Sequence, residues 1–332
     1  MSQNSKDVFL TISPQGHKAE IRCLLLTNDK TKLVSGGDDK SVKIWDVSSG
    51  EIINEIYGEI GEGFTGGITC MALSKNNKYL AVGGRFNVQG KGFGIRIYDF
   101  ATYKLIKVLA GHKDIASSVK FTGDDKKIIS ASLDSTIKLW DIETEKVERE
   151  YIGHNSPVYT MDVFENKIVS GDWGNNIMLW DLDKNIPVKK SKEHTGRVEH
   201  IGFSPNGEYI VSVAWDTTII LWDNTLKVIE KMKNHTMPYS FAFSPDGNKI
   251  AFGCDFPNLC NVYEMRKQKL FLYAQYKNHH QTVIPEVFYD NESVFTGGGE
   301  HNEIDFWKVS PNKTSLIKRF IGKGRTVYNA VL

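Results

Sequence analysis

Length, composition and charge exclude several classes of protein. The 332 residues allow one large domain or two ordinary ones, and with 40% hydrophobic and 24% charged residues the chain is too apolar to be mainly disordered. Lysine and arginine total 41 against 40 acidic residues, so the net charge of +1 gives no electrostatic case for binding nucleic acid or an anionic membrane. Four scattered cysteines, no signal-like start and no long apolar run favour a cytoplasmic protein.

Short segments that end in an aromatic residue, usually followed by an acid, recur along the chain at intervals of about forty residues. They are SVKIWD (41–46), GIRIYD (94–99), TIKLWD (136–141), NIMLWD (176–181), TIILWD (218–223), CNVYE (260–264) and EIDFW (303–307). Most follow a second anchor, which is Gly16-His17, Gly111-His112, Gly153-His154, Glu193-His194 and, less regularly, His235 and His280. The pattern predicts seven copies of one structural unit.

The fourth repeat shows the composition of each unit. Its segments VYTMDVF, KIVSG and IMLWDL are short and rich in β-branched or aromatic residues, and ENK and DWGNN separate them. Such runs are typical of strands joined by tight turns, and no repeat has a sustained helical period, so the predicted class is all-β. A four-stranded unit cannot cover its own apolar faces. Units placed radially around an axis bury those faces against their neighbours, which predicts a β-propeller.

The Gly-His start, the Trp-Asp end and the period of about forty residues resemble the WD-repeat propeller family. The resemblance implies a seven-bladed propeller over residues 1–321, with about four antiparallel strands in each blade. Residues 322–332 repeat the start pattern, which predicts the beginning of a further repeat or a tail. Two segments, DVFLTIS (7–13) and TSLIKRFI (314–321), compete for the outer edge of one blade.

Polar residues at fixed positions of the repeat predict a hydrogen-bond network. In repeat 1 the Trp45 indole can donate to the Ser35 hydroxyl, and Ser35 can donate to one ring nitrogen of His17. The other ring nitrogen can donate to Asp39, which would satisfy every partner. The same spacing gives His112, Ser130, Asp134 and Trp140 in repeat 3, and His194, Ser212, Asp216 and Trp222 in repeat 5.

Repeat 4 differs, because Gly174 stands at the position of the acid. It keeps His154, Ser170 and Trp180, so we expect a network that is one bond short. A Ser-His-Asp set also suggests a hydrolase, but a catalytic set would occur once, and these serines lie in mid-strand between Trp and His. No Gly-x-Ser-x-Gly elbow is present. We therefore expect a structural network, with no catalytic residues, no metal and no cofactor.

In the family that this chain resembles, partners most often engage the face formed by the loop before the first strand of each repeat and by the turn between its second and third strands. The resemblance places there the third and fifth residues after the anchor histidine and the residue before the network acid. They include Arg22 and Asp38 in repeat 1, Leu133 in repeat 3, Tyr159 and Trp173 in repeat 4, Arg197 and Trp215 in repeat 5, and Phe256 and Glu300 in the two irregular repeats.

Repeats 3 to 5 stand out on this face, because large aromatic residues beside an arginine are the types that dominate interface energetics. The alternative is that Trp173 and Trp215 fold onto their own turns and cover backbone. Two tryptophans recur at one turn position without a need in the repeat pattern, which favours binding.

Repeat 2 has Phe64 at the histidine position, Gly92 at the acid position and insertions on the same face. Its glycine-rich turn RFNVQGKGFG is either a functional loop or decoration, and both interpretations stay open.

The resulting prediction is a non-catalytic scaffold that binds a protein or peptide and is monomeric as an isolated propeller. The segments FTGGGEHNEIDFW and IGKGRTVYNAVL also look similar, more weakly, to long bacterial WD-repeat proteins, some of which carry a caspase-like protease domain. That resemblance implies an alternative function, a sensing or autoinhibitory module of a larger effector enzyme in the same polypeptide.

Overall fold

The computed structural model describes residues 16–58, 65–254, 259–277, 283–298, 303–311 and 313–320. These residues form 28 strands in seven antiparallel sheets of four strands each, so the predicted all-β class and the seven four-stranded blades are confirmed. Within this part of the chain no helix is long and apolar enough to cross a membrane. The predictions for DVFLTIS, Phe64, Phe256, His280, Glu300 and residues 322–332 fall outside the described residues.

Each blade is one meander, and consecutive strands are neighbours in the sheet. Blade 1 contains β1 (Ile21–Leu26), β2 (Lys32–Gly37), β3 (Ser41–Asp46) and β4 (Ile52–Tyr57). Blade 2 contains β5 (Ile68–Leu73), β6 (Tyr79–Val88), β7 (Gly92–Asp99) and β8 (Leu105–His112). Blade 3 contains β9 (Ala116–Phe121), β10 (Lys127–Ser132), β11 (Ile137–Asp141) and β12 (Val147–Tyr151). Blade 4 contains β13 (Val158–Phe164), β14 (Lys167–Asp172), β15 (Ile177–Asp181) and β16 (Pro187–Ser191).

The remaining three blades follow the same order. Blade 5 contains β17 (Val198–Phe203), β18 (Tyr209–Ala214), β19 (Thr218–Asp223) and β20 (Val228–Lys233). Blade 6 contains β21 (Pro238–Phe243), β22 (Lys249–Cys254), β23 (Leu259–Arg266) and β24 (Lys269–Lys277). Blade 7 contains β25 (Val283–Asp290), β26 (Ser293–Gly298), β27 (Glu303–Ser310) and β28 (Lys313–Phe320). The first strands contact one another from blade to blade around the ring, so they form its inner wall.

Seven apolar clusters hold the ring together, one at each boundary between neighbouring blades. The middle strands are apolar on both faces because successive side chains point to opposite sides of a sheet. In β2, for example, Leu33 packs towards blade 7 and Val34 towards blade 2. The aromatic residue that ends each repeat lies at the boundary with the preceding blade, which explains its regular recurrence.

The ring closes where blade 7 meets blade 1. Among the described residues the outer strand of blade 7 is β28, so one of the two competing segments, TSLIKRFI, lies at this edge through residue 320, while DVFLTIS falls outside the described residues. Its last residue, Phe320, packs edge-on against Trp45 of blade 1 with ring centroids 6.0 Å apart. The Lys318 ammonium donates to the carbonyl oxygen of Ser48 at 2.6 Å. Side-chain packing between the two blades therefore closes the ring.

The glycine-rich insertion of repeat 2 forms an extension of the β6–β7 hairpin, in which Asn87 pairs with Phe93 and Val88 with Gly92. Gly92 has a φ of +81°, and a Cβ added there would lie 2.3 Å from the carbonyl oxygen of His112. Both features require glycine, because side chains disfavour this φ and have no room at this distance. Gly92, which stands at the acid position of repeat 2, is therefore a turn residue in blade 2.

Candidate functional site

The predicted hydrogen-bond networks are present in blades 1 and 3. In blade 3 the Trp140 Nε1 donates to the Ser130 Oγ at 2.8 Å, and Ser130 Oγ lies 2.8 Å from the Nε2 of His112. The Nδ1 of His112 lies 2.9 Å from an Asp134 carboxylate oxygen. The corresponding distances in blade 1 are 2.8, 2.6 and 2.9 Å for Trp45–Ser35, Ser35–His17 and His17–Asp39.

Blade 5 contains a variant of the same network. Trp222 donates to Ser212 at 2.9 Å, and Ser212 lies 2.7 Å from the Nε2 of His194. The Nδ1 of His194 is 3.4 Å from Asp216 but 2.8 Å from the Thr218 hydroxyl, which itself donates to Asp216 at 2.6 Å. The acid therefore still closes the network, with a threonine between it and the histidine.

The prediction of an incomplete network in blade 4 is wrong. The Nδ1 of His154 lies 2.7 Å from a carboxylate oxygen of Asp172, the last residue of β14, so the acid comes from two positions before Gly174. Ser170 completes the set, at 2.7 Å from the His154 Nε2 and 2.8 Å from the Trp180 Nε1. Asn176 also donates to Asp172, at 2.9 Å. The sequence contained a signal for this replacement. In the one network repeat that lacks the usual acid, Asp172 stands where the other network repeats have a small residue.

The network acids are held ionised. Burial alone would raise the pKa of Asp39, but hydrogen bonds and the nearby imidazole of His17 lower it to about 2. Burial is likewise outweighed by hydrogen bonds at Asp134, Asp172 and Asp216, whose pKa values are all lowered. The hydroxyl of Ser130 is inaccessible, because the residue is 0% exposed. This geometry gives the Ser-His-Asp sets a structural role.

One face of the ring is built by a backbone bond that repeats in four blades. In each, the residue immediately before the acid position of the repeat donates its N–H to the carbonyl of the third residue after the anchor histidine. The pairs are Asp38–Glu20 at 3.0 Å, Leu133–Ile115 at 3.0 Å, Trp173–Pro157 at 3.1 Å and Trp215–Arg197 at 2.9 Å. The two positions that the resemblance assigned to one face therefore do lie side by side.

In blades 4 and 5 this face carries a compact group of side chains. The guanidinium carbon of Arg197 lies 4.1 Å from the ring centroid of Trp215, 4.9 Å from that of Tyr159 and 5.2 Å from that of Trp173. Each such cation–π contact stabilises by about 0.5 to 2 kcal/mol, depending on desolvation. Trp173 and Trp215 are nevertheless 43% and 48% exposed. We call Tyr159, Trp173, Arg197, Glu199 and Trp215 the Arg197 cluster.

Glu199, the fifth residue after His194, belongs to this cluster and is one of the positions that the resemblance places on this face. It is buried, and its carboxylate accepts a hydrogen bond from the Arg197 Nε. Burial raises the pKa of Glu199 in spite of this bond. Tyr159 and Arg22 occupy the same position in their repeats, five residues after the anchor histidine.

The other predicted face residues differ in availability. Arg22 and Asp38 bind each other, with the Arg22 Nε and Nη2 at 3.0 and 2.7 Å from one Asp38 oxygen, and the Asp38 side chain is only 7% exposed. Arg22 also contacts Glu20 at 3.0 Å. Leu133 is half-buried at the matching turn of blade 3. Among the described residues that the resemblance assigns to this face, the large exposed aromatic rings are those of Trp173 and Trp215 in the Arg197 cluster.

These features define a class of protein, a seven-bladed β-propeller in which four blades contain a Trp-Ser-His-Asp network. Within that class, the model of the WD domain, G-beta repeat, matches residues 9–46, 56–99, 103–141, 145–181 and 185–223. The matches cover more than half of the chain, which therefore belongs to the WD40 repeat family.

Curated relatives are distant and share this repeat. Autophagy-related protein 16 of Arabidopsis thaliana is 24% identical over 71% of this chain and 46% of its own length. A guanine nucleotide-binding protein subunit beta of Zea mays is 24% identical over 67% of this chain and 61% of its own. The serine-threonine kinase receptor-associated protein of Mus musculus is 27% identical over 72% and 65%. The chain thus spans about half to two thirds of the length of the curated relatives that it matches.

A solved structure, that of U3-55K, has the same fold. It superposes with a TM-score of 0.77 and 21% identity, covering 86% of this chain and 90% of that one. The curated relatives are WD-repeat proteins, like this chain. Nothing in these similarities supports the alternative of a caspase-like effector module.

Proposed function

We propose that this protein is a non-catalytic scaffold that binds a protein or peptide partner at the Arg197 cluster. The observation that carries the proposal is the pair Trp173 and Trp215, which are about half exposed although each ring lies next to the Arg197 guanidinium. Large aromatic side chains that remain exposed beside an arginine are typical of the residues that dominate interface energies.

The alternative interpretation is that Trp173 and Trp215 only cover the backbone of their own turns. Binding is supported by the contacts of Arg197, whose guanidinium carbon lies 4.1 Å from the ring centroid of Trp215 in its own blade and 5.2 Å from that of Trp173 in blade 4, so the cluster joins blades 4 and 5. A rigid surface loses little conformational entropy when a partner binds, which favours affinity. The names of two relatives, a subunit of a guanine nucleotide-binding protein and a receptor-associated protein, describe assemblies with other proteins and are consistent with this role.

The test compares two double variants with the wild type by affinity capture of partner proteins from extracts of cells that naturally contain this protein. Trp173→Ala with Trp215→Ala removes the exposed rings, and we expect partner recovery to fall about tenfold or more. Phe271→Ala with Leu272→Ala is the control, because these residues are 49% and 51% exposed but lie on the outer strand of blade 6. The control should capture partners like the wild type.

Melting curves of both variants must match the wild type within a few degrees, so that loss of binding is not loss of fold. A folded Trp173→Ala, Trp215→Ala protein that recovers the same partners in the same amounts as the wild type would contradict the proposed site.

A further inference from the structure

Resting on the function proposed above, we propose that the Arg197 cluster recognises a carboxylate side chain that is flanked by apolar residues in an extended segment of the partner. The observation behind this inference is a guanidinium that is fixed in place while much of its hydrogen-bonding capacity is unused. Of the three guanidinium nitrogens of Arg197, only the Nε has a hydrogen-bond partner among the described residues, and this partner is the carboxylate of Glu199.

The guanidinium is fixed by contacts on several sides. Its carbon lies 4.1, 4.9 and 5.2 Å from the ring centroids of Trp215, Tyr159 and Trp173. Glu199, which is only 5% exposed, holds the Nε edge. The Arg197 side chain retains 25% of its exposure, so it can still be reached from solvent. A side chain that is already ordered loses little entropy when it binds.

Two other arginines in this protein bind a carboxylate through two of their nitrogens. Arg319 donates from its Nε and Nη2 to the two oxygens of Asp305, at 2.6 and 2.8 Å. Arg22 donates from the same two nitrogens to Asp38. Arg319 thus makes two parallel bonds to a carboxylate, the arrangement that a guanidinium favours, whereas Arg22 makes both bonds to one oxygen of Asp38. Glu199 takes only the Nε of Arg197, so the two Nη atoms remain for a second carboxylate.

The surroundings of the free edge define the rest of the ligand. Trp173 and Trp215 are 43% and 48% exposed and offer apolar surface beside the Nη atoms, which favours apolar neighbours on either side of the acid. A basic partner side chain would meet the like charge of Arg197, and the ring faces that could bind it already contact that arginine. The geometry thus fits an acidic and apolar peptide better than a basic one.

A randomised peptide display library, selected on the immobilised full chain, tests the inference without knowledge of the natural partner. Counter-selection on the Trp173→Ala, Trp215→Ala protein keeps peptides that depend on the cluster. We expect the enriched peptides to share an aspartate or glutamate between apolar residues. Replacing that acid by its amide should weaken binding to the wild type about tenfold, and less so as salt is added.

A second pair of variants separates recognition from folding. Arg197→Gln with Glu199→Gln removes the charge without leaving a buried carboxylate unpaired, and we expect it to bind the acid and amide peptides equally. The matched control is Arg266→Gln with Glu264→Gln, another arginine and glutamate two residues apart, on the exposed hairpin of blade 6. It should keep the tenfold preference of the wild type.

The outcomes distinguish the two proposals. Peptides that depend on the tryptophans but are basic, or that bind equally well as amides, overturn the carboxylate inference and leave the proposed site intact. Selection that yields no peptide dependent on the tryptophans contradicts both. An acid preference that survives in the Arg197→Gln, Glu199→Gln protein shows that another group binds the carboxylate and also overturns the inference.

Discussion

Blades 1, 3, 4 and 5 contain the full hydrogen-bond network, whereas blades 2 and 6 have the same four-stranded form without it. At the register position of the network serine, blade 2 has Val82 and blade 6 has Phe252, which are 1% and 0% exposed. The repeat-ending aromatic changes at the same time, to Tyr98 and Tyr263. The ring of Tyr263 packs edge-on against Phe252, with centroids 5.6 Å apart.

The difference shows that the blade requires filled space and satisfied polar atoms rather than one particular network. A buried indole needs an acceptor and a buried imidazole needs two partners, so the polar set works as a unit or is replaced by apolar packing. Blade 7 is intermediate, because Trp307 donates to Thr296 at 3.1 Å. At the start of repeat 6 the buried polar residue is Asn234, which directly follows β20 of blade 5. The predicted anchor His235 is exposed.

The largest effect should come from acid, because protonation acts on all four networks at once. The pKa of each network acid is lower in the folded protein than the value of about 4 for an aspartate in the unfolded chain, so these acids stabilise the fold fully above about pH 4. This stabilisation is lost as the pH falls towards about 2, the pKa of Asp39 in the folded protein. We expect the melting temperature to fall across this window, and to fall less steeply in the Asp39→Asn variant. Calorimetry at half-unit steps of pH measures both slopes.

Asp46 provides the matched control. Hydrogen bonds from Ser48 and Ser49 lower its pKa to about 2 as well, but it lies at an exposed turn of blade 1. Solvent screening weakens such interactions, so Asp46→Asn should change the slope less than Asp39→Asn. Equal slopes in the two variants would show that the networks add nothing particular to acid sensitivity.

A single substitution inside a network should have the next largest effect. Ser130→Ala removes the oxygen that accepts from Trp140 and contacts His112, and leaves both groups without this partner in a buried site. We expect the free energy of unfolding to fall by about 1 to 3 kcal/mol. Urea denaturation measures the change, and an unaltered stability would disprove the structural role of the network.

The smallest effect should come from the corresponding aromatic of a blade without the network. Tyr263→Phe removes a hydroxyl that has no hydrogen bond in the described part of the chain, and the ring contact with Phe252 is kept. We expect a change within about 0.5 kcal/mol, measured by the same denaturation. A loss as large as that of Ser130→Ala would mean that blade 6 also depends on a polar partner for its aromatic residue.

A pair of charged positions on the two outer strands of a blade also tolerates different residues, although Lys43 and Asp305 there are buried. Lys43 and Glu55 form a pair at 2.8 Å between β3 and β4 of blade 1, while the equivalent positions of blade 7 hold the reverse charges, Asp305 and Arg319. Both arrangements satisfy two charges across neighbouring strands. The position requires complementary partners and leaves the order of the charges free.

The amino-acid sequence determined the repeat, the strands, the propeller class and three of the four networks, because these depend on local periodicity and on the hydrogen-bonding chemistry of single residue types. Only the tertiary structure decided that Asp172 replaces the acid missing at Gly174, and that the Arg197 guanidinium of blade 5 lies against Tyr159 and Trp173 of the preceding blade. Contacts of this kind depend on how far neighbouring sheets are rotated and how their side chains pack, which no residue spacing within a repeat encodes.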